Sequence, residues 1–548
     1  MNPPSPLSPS LAADAPLRQH HPARQASRVS VWTQRLLLIA TPIRLAVLQI
    51  GVVVLFLALV LATPARGQAR LVDLTANEGA HRRLNFWREA LESAPGVNWL
   101  PPGDFSVQPS LHTWGIRATL LGLLLLQILA IAGCSRRPGP SHARWFIGPS
   151  LSALFFLLLP PLSADLFYYA ISGYAVTQGI NPYLIPPEGV PAGPLLALND
   201  WRDITSPYGP VWTHLSALVS WLIGPDPIAM AMSFKLLALS AAAGLVGLVY
   251  SFALWLTADR HRATVAAVVV AWQPALLIES AGTGHNDALM ALLALGGLWL
   301  VVRSERGSTR LGLILITLSV LVKYATLPVL ALALLWRLTQ FRSTTRQIAI
   351  AWGFDVVAVA VTMLLSFTPF WEGRSTLNSL ANQPGRLFTN PLWQVIEFIA
   401  GAFGTGVFSQ ASAIGAALAA TPVLCLVVGL AFRFHRVEPG SSRAQIWLLQ
   451  ACAIALVGLT LLPFNVHPWY LIWPVGAVAL CWVAASPRPW SEVNRLVPSA
   501  PAQGSPSYSL KAMGVGASKR LFPLWLWLWL YFIFAAVVIL GYHTRLGT

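Results

Sequence analysis

A single carboxylate, Asp165, stands directly after an apolar run that ends in two prolines. Because a charged side chain is costly in or beside a bilayer, an acidic residue at the rim of a membrane segment is a functional candidate by default. A carboxylate in this position is able to deprotonate a substrate hydroxyl as a general base. It is equally suited to cap the N-terminus of the helix predicted over residues 166–178, and the two roles are compatible. That helix has an apolar face, which predicts that it lies on the membrane surface.

A second group of polar side chains interrupts two apolar runs at residues 282–290, where His285, Asn286 and Asp287 follow one another. Three such groups at a membrane boundary cost free energy unless they bind a ligand or one another. A purely structural alternative is that Asn286 or Asp287 caps the helix predicted over 287–302. The segment is therefore a candidate binding site.

Two cations are candidates for binding phosphate. Lys323 lies inside an apolar run, and Arg386 lies in a connector predicted to be external. Lysine suits an anionic headgroup as a point charge, and arginine can clamp a phosphate with paired hydrogen bonds. The alternative for Lys323 is that it snorkels toward the membrane surface.

Aromatic and amide side chains flank these charges. Tyrosine and tryptophan are common at membrane interfaces for reasons of solvation alone, but their half-polar rings can also contact a ligand. A rigid turn at residues 206–212 returns the chain to the bilayer. The candidate substrate-binding residues in these segments are Tyr168, Asn181, Tyr183, Tyr208, His467, Trp469 and Tyr470.

Composition requires a membrane around these residues. Of 548 residues, 55% are hydrophobic and 10% are charged, and the mean hydropathy is +0.62. The net charge of +16 could suggest a nucleic-acid partner, but the basic residues form short clusters between apolar runs, which is the pattern of cytoplasmic loops. The four cysteines have no metal-binding or redox spacing and read as small core residues. The sequence predicts an all-α polytopic membrane protein that contacts membrane lipids and no nucleic acid.

The apolar runs predict about 13 transmembrane helices. Basic connectors place the N-terminus on the cytoplasmic side and Asp165 on the outside. The predicted regions are a disordered basic tail at 1–35, a membrane hairpin at 36–144 with an external loop at 64–113, a membrane core at 145–485 with external loops at 163–208 and 370–391, a cytoplasmic linker at 486–520, and a C-terminal membrane helix within 521–548.

Two arrangements of the middle of the chain satisfy these charges. In the first, 209–224 is a re-entrant or interfacial helix and 311–336 is a hairpin broken at Lys323, so that His285 and Lys323 face outward. In the second, both segments cross the membrane once, and the arginines near residues 260 and 306 lie outside. The charge bias favours the first arrangement, and the segment lengths favour the second.

The order of these motifs resembles that of the polytopic GT-C glycosyltransferases over about residues 145–485. It is most similar to the polyprenyl-phosphate-mannose-dependent α-1,6-mannosyltransferases of bacterial cell envelopes. The resemblance implies a multi-helix membrane fold whose large first external loop carries the catalytic acidic residue, here Asp165. It also implies a lipid-linked sugar donor and inversion at the anomeric carbon, with His285, Asn286 and Asp287 matching a His-Asn-Asp element and Lys323 matching a membrane lysine.

The predicted function is therefore transfer of a hexose, as mannose, from a polyprenyl-phosphate sugar to a glycan or glycolipid at the outer face of the cytoplasmic membrane. Lys323 or Arg386 would stabilise the departing phosphate. A divalent metal between Asp165 and Asp287 or His285 is left open, without a supporting spacing. The alternatives are a transporter or flippase for lipid-linked sugars or other solutes, because broken helices with charged residues also form transport sites, and a scaffold without catalytic activity.

Overall fold

The computed structural model describes residues 40–61, 78–93, 109–136, 142–303, 308–339, 345–381, 424–438, 441–461 and 466–485. These residues form helices and connecting turns, and no β-strand occurs among them. Arg386, the linker 486–520 and the C-terminal helix predicted within 521–548 lie outside the described residues, as does the predicted tail 1–35.

The long apolar helices follow the predicted apolar runs, with proline or aspartate at several of their N-termini, and four further described helices lie in the predicted external connectors. Asp226 caps the longest helix by accepting a hydrogen bond from the Ala229 amide, and Asp259 caps the next by accepting from two amides. In chain order the helices are α1 (Pro42–Leu61), α2 (Glu78–Glu92), α3 (Pro109–Arg136), α4 (Ile147–Leu157), α5 (Asp165–Thr177), α6 (Pro194–Leu198), α7 (Pro210–Ile223), α8 (Pro227–Thr257), α9 (Arg260–Ala271), α10 (Pro274–Leu277), α11 (Asp287–Arg303), α12 (Ser308–Val322), α13 (Leu327–Thr339), α14 (Thr345–Phe367), α15 (Arg374–Ala381), α16 (424–432), α17 (Ser442–Leu461) and α18 (Ile472–Ala485).

Six of the described helices are long and apolar enough to cross a membrane, and a seventh span results if the bent pair formed by α9 and residues 274–282 is counted as one. These findings support a multi-pass membrane protein. Helix α7 has 14 residues and a length of about 21 Å, which is short of the roughly 30 Å hydrocarbon core. Its Leu218, Trp221 and Leu222 are exposed, as expected for a helix that contacts lipid.

Helices α12 and α13 form a hairpin that turns at Lys323. The buried carboxylate of Asp355 on α14 accepts a hydrogen bond from Arg337 at 3.1 Å and lies 3.5 Å from the Nε of Arg310. Arg310 is near the start of α12 and Arg337 is near the end of α13, so both ends of the hairpin lie at the same end of the molecule. The first of the two predicted arrangements requires this geometry, and the second excludes it.

The position of helix α5 differs from the prediction, made from its apolar face, that it lies on the membrane surface. The helix exists, but Phe167 and Ile171 are fully buried, and nearly every residue of α5 is covered by protein. Gly173 packs so closely on α7 that a Cβ there would overlap the carbonyl of Ser216. Helix α5 therefore lies inside the protein rather than on the membrane surface.

Candidate active site

Asp165 is the first residue of α5, and its side chain points into a buried cluster. The residue in the N-cap position is Ala164, and Asp165 follows it as a helical residue whose own amide donates to Ser163 Oγ at 3.2 Å, so the capping role considered for Asp165 is wrong. Its Oδ1 accepts a hydrogen bond from Trp201 Nε1 at 2.9 Å, and its Oδ2 accepts one from the Tyr208 hydroxyl at 3.0 Å. Because an ionised carboxylate has about four acceptor sites, the two donors orient Asp165 and leave room for a substrate hydroxyl.

His285 lies between Asp165 and a second acid, Glu279. The Nδ1 of His285 is 3.8 Å from Asp165 Oδ2 and 3.4 Å from the Tyr169 hydroxyl, and its Nε2 is 3.5 Å from Glu279 Oε2. Its imidazole stacks on the Trp469 ring with 4.0 Å between centroids. The arrangement is a carboxylate–imidazole–carboxylate row along one wall of the site.

The backbone that presents His285 is irregular for a reason that its sequence supplies. Residues Ile278–Gly282 form a π-helical turn, which carries Glu279 and ends α10. Gly284 then adopts a positive φ of 74°, a region that glycine enters without steric cost. A Cβ at Gly284 would also lie 2.8 Å from the Leu166 side chain, so the glycine allows the loop to approach α5.

Asp287 and Lys323 form a buried ion pair. The Lys323 ammonium donates to Asp287 Oδ1 at 2.8 Å, and Trp473 Nε1 donates to the same oxygen at 2.6 Å. Asp287 is fully buried, whereas 16% of the Lys323 side chain is exposed. Part of the Lys323 side chain therefore remains accessible, while the buried Asp287 carboxylate balances its charge.

Four aromatic rings surround the Lys323 ammonium at centroid distances of 5.5 to 6.0 Å, within the range of cation–π attraction. Tyr208 is one of them, and its hydroxyl is bonded to Asp165, so this tyrosine links the cation to the carboxylate. Such rings are also flat, half-polar surfaces against which a sugar could stack. The four rings are those of Tyr208, Trp469, Tyr470 and Trp473.

Burial sets the charge states of the loop residues in this cluster. It lowers the pKa of His285 to about 3, an effect that the Asp287 charge opposes and the Lys323 charge reinforces. Burial likewise lowers the pKa of His467 to about 3. Burial, and then the Asp165 charge, raise the pKa of Tyr208 well above its usual range. At neutral pH both histidines are therefore neutral, and Tyr208 stays protonated as a donor to Asp165.

Several predicted binding residues hold the loop together instead of facing the cluster. The Asn181 amide donates to the carbonyl of Phe370 at 2.9 Å, and the Tyr183 hydroxyl donates to the carbonyl of Tyr208 at 2.9 Å. The Tyr168 hydroxyl donates to the carbonyl of Ile204. The bonds of Tyr183 and Tyr168 fix the turn that carries Tyr208, and the bond of Asn181 ties the loop to the segment after α14, so the polar groups of the three residues are already engaged within the protein.

The remaining predicted residues lie at the cluster. His467 also stacks on Trp469, with 4.4 Å between centroids. Asn286 precedes α11, but no hydrogen bond to its buried amide group is found among the described residues, which argues against the capping role considered for it. A buried amide without a partner is costly and is commonly kept for a ligand.

Four residues of the cluster were not predicted from the sequence, namely Tyr169, Trp201, Glu279 and Trp473. Glu279 carried a usable signal, because it is a lone acid within an apolar run and the cost argument applied to Asp165 applies to it as well. The aromatic residues carried none, since tryptophan and tyrosine are frequent throughout this chain.

Among the residues that the structure describes, no three His, Cys, Asp or Glu side chains form a group that could hold a metal ion. Asp287 is paired with the Lys323 cation, and each oxygen of Asp165 accepts a hydrogen bond while keeping a further acceptor site. A divalent metal between Asp165 and Asp287 or His285 stays a hypothesis from the sequence.

In the described residues, fold and site define a helical, multi-pass membrane protein in which Asp165, Glu279, His285, Asp287 and Lys323 lie in one buried cluster lined by aromatic rings. Residues 108–339 match the family model described as "Alpha-(1->6)-mannopyranosyltransferase, N-terminal domain". That region contains Asp165, His285, Asp287 and Lys323. The resemblance to polytopic α-1,6-mannosyltransferases is thereby confirmed.

Curated relatives carry the same description. Alpha-(1->6)-mannopyranosyltransferase A of Mycobacterium tuberculosis is 28% identical in an alignment of 278 positions that covers 46% of this chain and 51% of the relative. A probable alpha-(1->6)-mannopyranosyltransferase of Mycolicibacterium smegmatis is 26% identical over 58% of this chain and 62% of its own length. The chain thus spans about half the length of these relatives. No solved structure matches it.

Proposed function

We propose that this protein is an integral-membrane glycosyltransferase that moves mannose from a polyprenyl-phosphate donor to a glycan or glycolipid acceptor. The observation that carries the proposal is the geometry around Tyr208, which bonds Asp165 on one side and faces the Lys323 ammonium on the other. A base for the acceptor and a cation for the leaving phosphate therefore flank one aromatic surface. The names of the relatives indicate mannose as the transferred sugar.

In the proposed reaction, Asp165 removes the proton of the acceptor hydroxyl while that oxygen attacks the anomeric carbon. The bond from this carbon to the donor phosphate breaks, and the polyprenyl phosphate leaves with the bonding electron pair. Attack opposite the leaving group inverts the anomeric configuration. The exposed part of the Lys323 ammonium stabilises the charge that develops on the phosphate.

The neighbours of Asp165 fit this role. Trp201 and Tyr208 hold the carboxylate in one orientation, and pre-organised groups save the cost of reorganisation during the reaction. The neutral His285 imidazole lies beside the carboxylate, and because burial lowers its pKa to about 3 it is a weak base that competes little for the acceptor's proton. We infer that the cluster lies at the outer face of the cytoplasmic membrane, because Arg310 and Arg337 lie at the end of the α12–α13 hairpin opposite Lys323, and basic residues mark the cytoplasmic side.

The test uses membranes from cells that express the chain, supplied with radiolabelled polyprenyl-phosphate-mannose and a short α-1,6-mannan. We expect transfer of label and a new α-linked mannose by NMR. A parallel reaction with GDP-mannose, in membranes depleted of polyprenyl phosphate, should give no product. Transfer from the nucleotide sugar, or movement of the intact lipid donor across the membrane without transfer, would contradict the proposal.

A further inference from the structure

Helix α2 lies upstream of the region that matches the family model, yet it contacts both chain segments that fix Asp165. One segment is the loop that carries Trp201, and the other is the end of α4, from which the chain leads to Asp165. The two contacts are made by different side chains of α2 and are independent observations.

The first contact joins Arg83 to the residue before Trp201. The buried Arg83 guanidinium forms an ion pair with Asp200 at 2.7 Å and donates to the carbonyl of Leu198 at 3.3 Å. Asn199 closes the same turn, because its side chain bonds both the amide and the carbonyl of Trp201. Trp201 in turn donates to Asp165. Two side-chain interactions, Arg83 with Asp200 and Trp201 with Asp165, thus connect α2 to the catalytic carboxylate.

The second contact secures the end of α4. A helix leaves its last carbonyls without partners inside the helix, and here three successive carbonyls are satisfied by side chains. The Trp87 indole donates to Leu158 O at 2.9 Å, and the amino group of the fully buried Lys235 donates to the carbonyls of Leu157 and Leu159. The same nitrogen lies 4.2 Å from the Trp87 ring centroid, so the two side chains also contact each other.

We propose that α2 is a positioning element of the active site, in which Arg83 sets the hydrogen bond from Trp201 to Asp165 and Trp87 sets the backbone that leads to Asp165. This inference rests on the proposed function for its catalytic readout. Neither side chain touches the reacting atoms, so both act through other residues. A displacement of a catalytic group by about 1 Å can cost on the order of a hundredfold in rate, which is why such distant contacts matter.

The first experiment compares Arg83→Gln with Arg82→Gln in purified protein reconstituted into liposomes. Arg82 is exposed on the same helix, and its Nε donates to the carbonyl of Ala197. We expect Arg83→Gln to lower kcat by about 10- to 100-fold while the KM for the lipid donor stays within about twofold. Arg83→Lys, which keeps the charge opposite Asp200, should recover most of kcat. Arg82→Gln should stay within about twofold of the wild type.

A matched pair tests the tryptophan. Trp87→Phe keeps a ring beside Lys235 and removes the donor to Leu158, and its control is Trp114→Phe at a residue that is 65% exposed. We expect kcat to fall about tenfold in the first variant and to be unchanged in the second. Equal effects within either pair, or a rise in KM with kcat unchanged, would overturn the inference.

A labelling experiment tests the inference without any assay of transfer. Asp165→Cys is placed in a Cys425→Ala background, because Cys425 is exposed and the other native cysteines are buried. We expect a membrane-impermeant thiol reagent to modify residue 165 about tenfold faster when Arg83→Gln is added, and no faster with Arg82→Gln. Identical rates in all three backgrounds would refute the positioning role even if the donor proves to be wrong. Absence of transfer by the wild type would count against the proposed function alone.

Discussion

Replacing Lys323 by methionine removes the cation from a carboxylate that has no exposure to solvent. In the wild type, Asp287 Oδ1 accepts hydrogen bonds from Lys323 at 2.8 Å and from Trp473 at 2.6 Å. The variant leaves one donor on a buried charge. Removing one partner of a buried ion pair typically costs about 3–5 kcal/mol, which is a large part of the roughly 5–15 kcal/mol that stabilises most folded proteins.

The cost should shrink when the carboxylate is neutralised as well. In Lys323→Met with Asp287→Asn, the amide still accepts from Trp473 and no charge is stranded. We expect the double variant to recover at least half of the lost stability, because a buried pair replaced as a whole is often nearly neutral. Arg202→Met, at an exposed cation of the same cluster's outer loop, is the control and should change stability by less than about 0.5 kcal/mol.

The assay is SDS-titrated unfolding of the purified protein in mixed micelles, followed by near-UV circular dichroism. It yields a free energy of unfolding for each variant and hence a coupling free energy for the pair. A loss below about 1 kcal/mol for Lys323→Met, or single losses that add without coupling, would refute a buried ion pair at this position. With either result, binding a ligand would be the only role left for the Lys323 charge.

Three further predictions concern stability, packing and topology. Burial lowers the pKa of His285 from 6.5 to about 3, so the unfolded chain binds this proton first on acidification. This residue should lower the free energy of unfolding by up to about 1.4 kcal/mol per pH unit as the pH falls from 6.5 toward 3. His285→Gln should reduce the slope of the unfolding free energy against pH. An unchanged slope would contradict the lowered pKa of His285. Gly209→Ala should lower the thermal unfolding midpoint markedly and lower the free energy of unfolding by about 1–3 kcal/mol, because the new Cβ overlaps the carbonyl of Leu321. An unchanged midpoint would rule out this close approach. Thiols placed at Ser308 and Thr339 should react from the same side of the membrane, since both ends of the α12–α13 hairpin lie near Asp355, and labelling from opposite sides would restore the single-crossing arrangement.

Much of the site could be predicted because burying charge in a membrane is so costly. Asp165 directly follows an apolar run, and His285, Asp287 and Lys323 interrupt such runs. The structure brings these four together, with Tyr208 between the two pairs. The same argument applied to Glu279, which was overlooked because a single acid does not interrupt a run as visibly as a polar triplet. The free-energy cost of a charge beside the membrane therefore predicted the charged residues of the cluster, but not the aromatic residues that bond to them.

Partners and covering layers were harder to predict because they depend on distant parts of the chain. Trp201 bonds Asp165 across 36 residues, and nothing in its neighbourhood distinguishes it from other interfacial tryptophans. Helix α5 was expected on the membrane surface because one face is apolar. Periodicity reports the apolar face but not whether α7 and the loop around α6 cover the other face as well, and the structure shows that they do.

Helix α2 illustrates the same limit at a larger scale. Its sequence is polar enough to read as an external connector, and the region 64–113 was predicted as such. Its roles follow from Arg83 and Trp87, which reach the loop at Asp200 and the end of α4 more than 70 residues away. Contacts of this range leave no local pattern in the sequence.

The most direct test of the central claim is the rate of mannose transfer from polyprenyl-phosphate-mannose by Asp165→Asn in liposomes. The variant keeps an oxygen and a shape similar to the carboxylate but cannot accept the proton, so kcat should fall by about 10²–10⁴-fold with little change in KM. Asp203→Asn, at an exposed aspartate of the same loop, should remain within about twofold of the wild type. Transfer by Asp165→Asn at the wild-type rate would contradict the account.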